Sequence, residues 1–266
     1  MILIAVAPNG ARLTKEDHPA LPLTAAELAQ EAKACMEAGA GMMHLHVRDN
    51  LGHHSLSVDY YQDAITRINQ ETSQGIFIQV TTEAVGKYTP DEQFGMIHVL
   101  KPPSTSIAVR EIRKLDDLDI FENFNLMREH HIYPQIILYN HIDLSRYLKW
   151  LDEGILPGNA YPVLLVLGKS HAQGSFQLDD LHKELAIPAS SIMVCAFGEE
   201  ELPACRLAVD RDWHVRLGFE NNMHLENGEI APNNAALIRE MAQYVSEKGK
   251  TVATASDAEK IMQPDW

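Results

Sequence analysis

The chain has 266 residues, 45% of them hydrophobic and 22% charged, which is enough apolar content to bury a sizeable core. Asp and Glu total 37 against 22 Lys and Arg, giving a formal net charge of −15. That balance argues against nucleic acid or an anionic membrane as a general partner and leaves any anionic ligand to a few local cations. The apolar run Met1–Pro8 has no basic lead-in and stops too early for a signal peptide or a membrane span, so the expected location is cytoplasmic. Cys35, Cys195 and Cys205 are odd in number and lack Cys-x-x-Cys spacing, as expected for reduced, buried thiols. No Pro/Gly/Ser-rich linker interrupts the chain, so one domain over residues 1–266 is expected.

Short β-branched runs alternate with helical segments from end to end. The first predicted strand covers about Ile2 to Val6. Thr24-Ala25-Ala26-Glu27 is a capping box that opens a helix ending near Gly39. A strand at about Met42 to Val47, a helix from Val58 to Asn69 and a strand from Ile76 to Val80 follow. Thr89-Pro90-Asp91-Glu92 starts the next helix, with Pro in the first turn where its missing N–H is not needed. Further strands are predicted at Ser106 to Val109, Ile136 to Tyr139, Val163 to Leu167, Ile192 to Phe197 and His214 to Gly218. Helices are predicted at Phe121 to His130, Leu144 to Glu153, Leu178 to Leu185, Glu199 to Val209 and Asn233 to Glu247. Eight such units predict an α/β fold of the (β/α)8 TIM-barrel type, because each parallel pair needs a crossover and the helices cover the outer face. An open doubly wound sheet would carry a Gly-rich phosphate turn after its first strand, and Ala7-Pro8-Asn9-Gly10-Ala11-Arg12 is not one. In a barrel of this type the active site lies where strands end and βα loops begin.

His44 and His46 stand at i and i+2 near the end of the second predicted strand, so both imidazoles face one spot. Alone, the pair fits either a metal site or two hydrogen-bonded core histidines. In a closed barrel the eighth strand returns beside the first, bringing Glu220 toward the pair across a single strand. Two imidazoles and a carboxylate suit Zn²⁺ with a position open to substrate; Fe²⁺ or Mn²⁺ is the alternative. Without that fold, Glu220 reads as a solvated loop carboxylate. Arg216 reads as a residue that captures a substrate carboxylate or supports developing charge, or else as a structural ion-pair partner of Glu220. Thr81 and Thr82 end the third strand, where their hydroxyls either bind a substrate carboxylate or cap the next segment. Ser106 has the same two readings, and Arg12 reads as a determinant for an anionic substrate tail or as a surface ion pair. His53-His54, His130-His131 and the run Leu167 to Gly174 read as solvated or connecting segments.

The runs Ala7-Pro8-Asn9-Gly10-Ala11-Arg12, Asp17-His18-Pro19-Ala20-Leu21-Pro22, His44-Leu45-His46-Val47-Arg48-Asp49, Gln79-Val80-Thr81-Thr82-Glu83-Ala84-Val85-Gly86 and Val215-Arg216-Leu217-Gly218-Phe219-Glu220-Asn221-Asn222 resemble the β-keto acid cleavage enzymes. The similarity covers nearly the whole chain and keeps the order and spacing of the motifs. It implies a zinc-dependent barrel, usually a homotetramer, that converts a β-keto acid and acetyl-CoA into acetoacetate and a CoA ester. It further implies that His44, His46 and Glu220 ligate zinc, that Arg216 helps activate the keto acid, and that Thr81 and Ser106 contact substrate. Two departures accompany the resemblance. Asn221 stands where the best-known member has an aspartate supporting the Arg, and an arginine with a pKa above ~12 is a poor base alone. Arg12 and Ile137 stand where a member acting on an amino-substituted substrate carries acidic side chains, which favours a dicarboxylic or neutral keto acid. Rival readings are a metal-dependent aldolase or hydrolase on the same barrel and a catalytically silent binding protein.

Overall fold

Each of the eight predicted strands enters one closed parallel barrel in the computed structural model, which describes residues 1–168, 175–182 and 187–266. In chain order the elements begin with β1 (Ile4–Val6), α1 (Ala25–Ala38) and β2 (Met42–Leu45), then a short hairpin of β3 (Val47–Arg48) and β4 (His54–Ser55). They continue with α2 (Val58–Thr72), β5 (Phe77–Thr81), α3 (Pro90–Leu100), β6 (Ser104–Ala108), α4 (Val109–Ile112), α5 (Asp117–Glu129), β7 (Tyr133–Leu138) and α6 (His141–Asp152). The last are β8 (Tyr161–Leu167), β9 (Ala189–Ala196), α7 (Glu201–Asp210), β10 (His214–Leu217), α8 (Asn234–Glu247) and α9 (Ala255–Ile261). The barrel order is β1-β10-β9-β8-β7-β6-β5-β2, closed by β1 pairing with both β10 and β2. This is the (β/α)8 fold expected from the alternation of strands and helices.

Helix starts follow the local chemistry. Thr24 with Glu27 and Thr89 with Glu92 form reciprocal capping boxes, and α1 ends on Gly39 at φ 117°, a left-handed position suited to glycine. A third box, Thr254 with Asp257, opens α9, which sequence patterning did not single out. The alternating faces of the strands divide the apolar residues into two bodies. Ile4, Val6, Met43, Leu45 and their equivalents pack outward against the helices. Leu3, Ala5, Met42, Phe77, Leu164 and Met193 fill the barrel interior, joined by Ala258 and Met262 at its lower end.

Several boundaries differ from expectation. β2 stops at Leu45, so His46 lies just past it, and the next two residues belong to the hairpin. Asp49 explains the turn: its Oδ1 accepts from Leu51 N and His53 N, and Gly52 takes φ 82° between them. β6 begins at Ser104 and β7 at Tyr133, earlier than their apolar runs suggest, because polar interior positions lengthen both strands. Leu178–His182 forms a 3-10 turn; the rest of the helix expected there, and most of the loop Leu167 to Gly174, lie outside the described residues. Among the described residues, no helix is long and apolar enough to cross a membrane.

Candidate active site

The loop after β1 forms one wall of the site. Arg48, from the hairpin, donates from Nη2 to the carbonyls of Asn9, Gly10 and Leu13, and Asn9 donates to the carbonyls of Pro22 and His46. Two separated motifs of the sequence are thus tied into one structure. Gly10 has φ 56°, and a Cβ there would come within 2.7 Å of Glu220 Cγ, so the loop reaches the carboxylate only with glycine. Gly218, at φ 138°, is likewise pressed on Ala7, where a Cβ would meet the carbonyl oxygen at 2.5 Å. The turn carrying Glu220 is pinned from behind: Asn234 accepts from Phe219 N and donates to Pro8 O, while Glu201 accepts from Gly218 N and Asn222 Nδ2. Burial pushes the Glu201 carboxyl up to about 8 despite those donors.

At the centre, His44 Nε2 and His46 Nε2 are 3.1 Å apart, and Glu220 Oε2 lies 3.3 Å from His46 Nε2 and 3.8 Å from His44 Nε2. These are the His, Cys, Asp and Glu side chains that the structure gathers, among the described residues, into a group able to hold a metal ion. Tetrahedral Zn²⁺ with bonds of about 2.0–2.1 Å sets its ligand atoms about 3.3 Å apart, close to the spacing here. Glu220 Oε2 is buried and has no hydrogen-bond donor among the described residues. An acceptor left bare beside two imidazole nitrogens fits a cation, so the donor set suits the metal that the sequence motif suggests.

Charge is arranged to keep these groups in ligating form. Burial, and then the positive charge of Arg216, lower the pKa of His44 to about 3, so the ring is neutral. Burial works against ionised Glu220, but Arg216 first and then His46 outweigh it and hold the carboxyl well below its ordinary range. Arg216 is 3% exposed; its Nη2 lies 3.3 Å from Glu220 Oε1 and 3.4 Å from Cys195 Sγ. Burial disfavours its charge, yet Cys195 and Glu220 leave its pKa raised, so Arg216 stays a cation.

The remaining expected residues divide. Ser106 Oγ is buried without a partner among the described residues, in a recess shared with Thr81, Ile137 and Tyr139. The Thr81 hydroxyl accepts from Glu83 N and serves the local turn, whereas that of Thr82 donates to Ser106 O and ties the end of β5 to β6. Asn221 is 6% exposed, and neither atom of its amide has a partner among the described residues. Arg12 stands at the rim, its side chain 61% exposed and paired with Glu83 at 2.8 Å. A cleft of about 550 Å³ connects Arg12, Glu83, Arg110, Phe197 and Glu220. A larger cavity, about 880 Å³, opens beside it between Gly198, Arg206 and Glu226 and includes none of the three central residues.

Sequence reasoning missed four contributors. Arg110, in the short α4, enters the cleft with its guanidinium 3.4 Å above the Tyr139 ring. Gln79 Oε1 lies 2.9 Å from His44 Nδ1, on the side of the ring away from Glu220. Cys195, expected to be only a small buried hydrophobe, also touches Arg216. His54, expected to be solvated, is 4% exposed; its Nε2 contacts Glu83 O and its ring lies 5.3 Å from that of His46. Only the hairpin turn set by Asp49 and Gly52 could have signalled that His54 folds inward.

The fold and the cluster define a (β/α)8 barrel with two imidazoles, a carboxylate and a buried arginine at the C-terminal ends of its strands. The chain belongs to the beta-keto acid cleavage enzyme family, whose model matches residues 1–263. It is 28% identical to the 3-keto-5-aminohexanoate cleavage enzyme of Acetoanaerobium sticklandii, over 98% of this chain and 97% of that protein. It is 26% identical to the 3-oxoadipate:acetyl-CoA acetyltransferase of Cupriavidus necator, over 98% of this chain and 94% of that protein. In fold it is similar to a solved binary complex of ObcA with oxaloacetate, with a TM-score of 0.73 and 15% identity, covering 93% of this chain and 68% of that one.

Proposed function

We propose that this chain is a zinc-dependent acyltransferase that converts a β-keto acid and acetyl-CoA into acetoacetate and the CoA ester of the remaining fragment. The observation that carries this reading is the convergence of His44, His46 and Glu220 on one point, with Arg216 3.3 Å from the carboxylate. Similarity to one relative named as a 3-keto-5-aminohexanoate cleavage enzyme and another named as a 3-oxoadipate:acetyl-CoA acetyltransferase supports it. In this reading residues 1–266 form a single catalytic domain, and the active form is a cytoplasmic homotetramer.

His44, His46 and Glu220 would hold the metal, which when bound supplies Lewis-acid polarisation of a carbonyl. Arg216 presents a permanent charge where negative charge develops as a proton leaves the carbon between the two carbonyls. The Ser106 hydroxyl, lacking a partner among the described residues, is available to the substrate carboxylate, with Thr81 and Thr82 shaping the wall behind it. Asn221 offers an amide where a carboxylate would serve as a base, so its part is orientation through hydrogen bonds. In the balanced reaction the bond between the keto carbon and the acetate unit breaks, that unit joins the acetyl carbonyl, and CoA leaves on the remaining acyl group.

The rim favours an anionic substrate tail. Glu83 neutralises Arg12, whereas Arg110 lies over Tyr139 with its charge facing the cleft. A dicarboxylic keto acid, the type in the name of the Cupriavidus relative, matches that charge. The deciding experiment incubates the zinc-loaded protein with acetyl-CoA and a panel of β-keto acids. Acetoacetate and a new CoA ester are expected in equal amounts, with a dicarboxylic acid turned over fastest. Full-rate consumption of a keto acid without a CoA ester would instead identify an aldolase or hydrolase, and silence across the panel a binding protein.

A further inference from the structure

We infer that Gln79, Gln135 and Met193 form a buried positioning relay that holds His44 as the Nδ1–H tautomer, leaving the Nε2 lone pair facing Glu220. The consequence for zinc rests on the function proposed above; the tautomer does not.

The relay is read from its far end. A thioether sulfur accepts hydrogen bonds weakly and cannot donate. Gln135 Nε2 points at Met193 Sδ, 3.6 Å away, so the Gln135 carbonyl oxygen faces the opposite direction and accepts from Gln79 Nε2 at 3.1 Å. A second anchor sets the same orientation: Ser104 Oγ gives its one proton to Tyr133 O at 2.8 Å and can only accept from Gln79 Nε2, 3.5 Å away. Both neighbours therefore require the NH2 of Gln79, and its Oε1 is left for His44 Nδ1 at 2.9 Å. An amide oxygen only accepts, so the proton is on Nδ1. Gln79, Ser104 and Gln135 each have no exposed surface, which makes the reversed arrangement, with two carbonyl oxygens facing each other, unfavourable.

The two imidazoles are consequently unequal. With His44 Nε2 bare, the proton in the 3.1 Å contact between the rings belongs to His46 Nε2 in the metal-free protein. His44 is preset to ligate, whereas His46 has to shift that proton from Nε2 to its own Nδ1, which has no partner among the described residues, before it can bind a metal. A hydrogen-bond partner that fixes a ligand's tautomer in this way is typically worth 10- to 100-fold in metal affinity, about what is expected here for Gln79.

Long-range ¹H–¹⁵N correlation spectra of the metal-free protein test the tautomer, and chelator competition tests zinc affinity. The wild type is expected to show His44 as Nδ1–H and His46 as Nε2–H. Gln79→Leu should give a tautomer mixture at His44 and weaken zinc about 10- to 100-fold. Gln79→Glu keeps an acceptor at Nδ1 and should restore the tautomer. Gln135→Met, which leaves the His44 contact itself in place, should shift both readouts less, and it carries the test if Gln79→Leu does not fold. His44 found as Nε2–H in the wild type, or an unchanged tautomer and zinc affinity in the variants, overturns the relay. If the tautomers are as expected and the wild type takes up no zinc, the relay stands and the proposed function falls.

Discussion

The upper and lower ends of the barrel each hold a histidine with a depressed pKa, and the two do different things. His44, at the top, is lowered to about 3, and His214, at the bottom, to about 4, in both cases chiefly by burial. His214 Nδ1 accepts from Leu3 N at 3.1 Å, which joins the start of the chain to β10. His44 instead uses Nδ1 to donate to Gln79 and turns Nε2 toward His46 and Glu220. Burial and a shifted pKa therefore do not distinguish a ligand from a structural histidine. The partner of each ring nitrogen does: backbone at the bottom, two more potential ligands at the top.

The largest expected effects test the upper end. Removing a ligand by Glu220→Ala or His46→Ala should abolish zinc uptake and lower turnover on the order of 1000-fold, the loss expected for several kcal/mol of carbonyl polarisation. Metal analysis and acetoacetate assays check this, and zinc uptake that survives both changes would put His44 on the same footing as His214. Arg216→Met should lower kcat about 100-fold with little change in KM, because its charge matters where negative charge develops. An effect confined to KM would make Arg216 a simple anchor for the substrate carboxylate.

The barrel and the central cluster were legible because their signals are local or periodic. Capping boxes at Thr24 and Thr89 opened helices where expected, and eight apolar runs marked the strands. Glu220 could be brought to His44 from topology alone, since closing the barrel leaves only β1 between β2 and β10. Arg110 was hidden because nothing in Ala108-Val109-Arg110-Glu111 marks a cleft residue; α4 follows β6 without a loop and turns the side chain over Tyr139. Gln79 was hidden inside the apolar run Ile76–Val80, where one amide reads as an ordinary strand residue. Its meaning depends on Gln135, 56 positions away. Arg12 was placed at the correct end of the barrel, but its pairing with Glu83 depends on two loops meeting.

Two smaller effects refine the upper end. Asn221→Asp should retain zinc and raise turnover about tenfold, a fraction of what a positioned base commonly contributes. An unchanged or lower rate in the keto acid assay would show that this buried amide is not in the place of a missing base. Arg110→Gln should raise KM for a dicarboxylic keto acid about tenfold and leave that for a neutral one unchanged, in line with loss of one charge-assisted contact. Arg12→Gln should change KM less, because an exposed pair such as Arg12–Glu83 is worth about 0–1 kcal/mol. A larger effect at Arg12 than at Arg110 would reverse their proposed roles.

The smallest effect concerns the lower end. The pKa of His214 falls from about 6.5 unfolded to about 4 folded, so between those values the unfolded chain binds more protons. Its contribution to stability is therefore intact above pH 6.5 and is lost as pH falls toward 4. From pH 7 to pH 5.5 this amounts to about 1 kcal/mol. Chemical denaturation of the metal-free protein should show this decline added to those of His44 and His54, whose pKa values are also depressed, and His214→Gln should remove about 1 kcal/mol of the total while leaving zinc affinity at the wild-type value. A variant that keeps the full pH dependence would move the acid sensitivity to another buried histidine, of which His54, lowered to about 4, is the next to test. A variant that loses zinc would show that the two ends of the barrel are coupled through β10, which carries both His214 and Arg216.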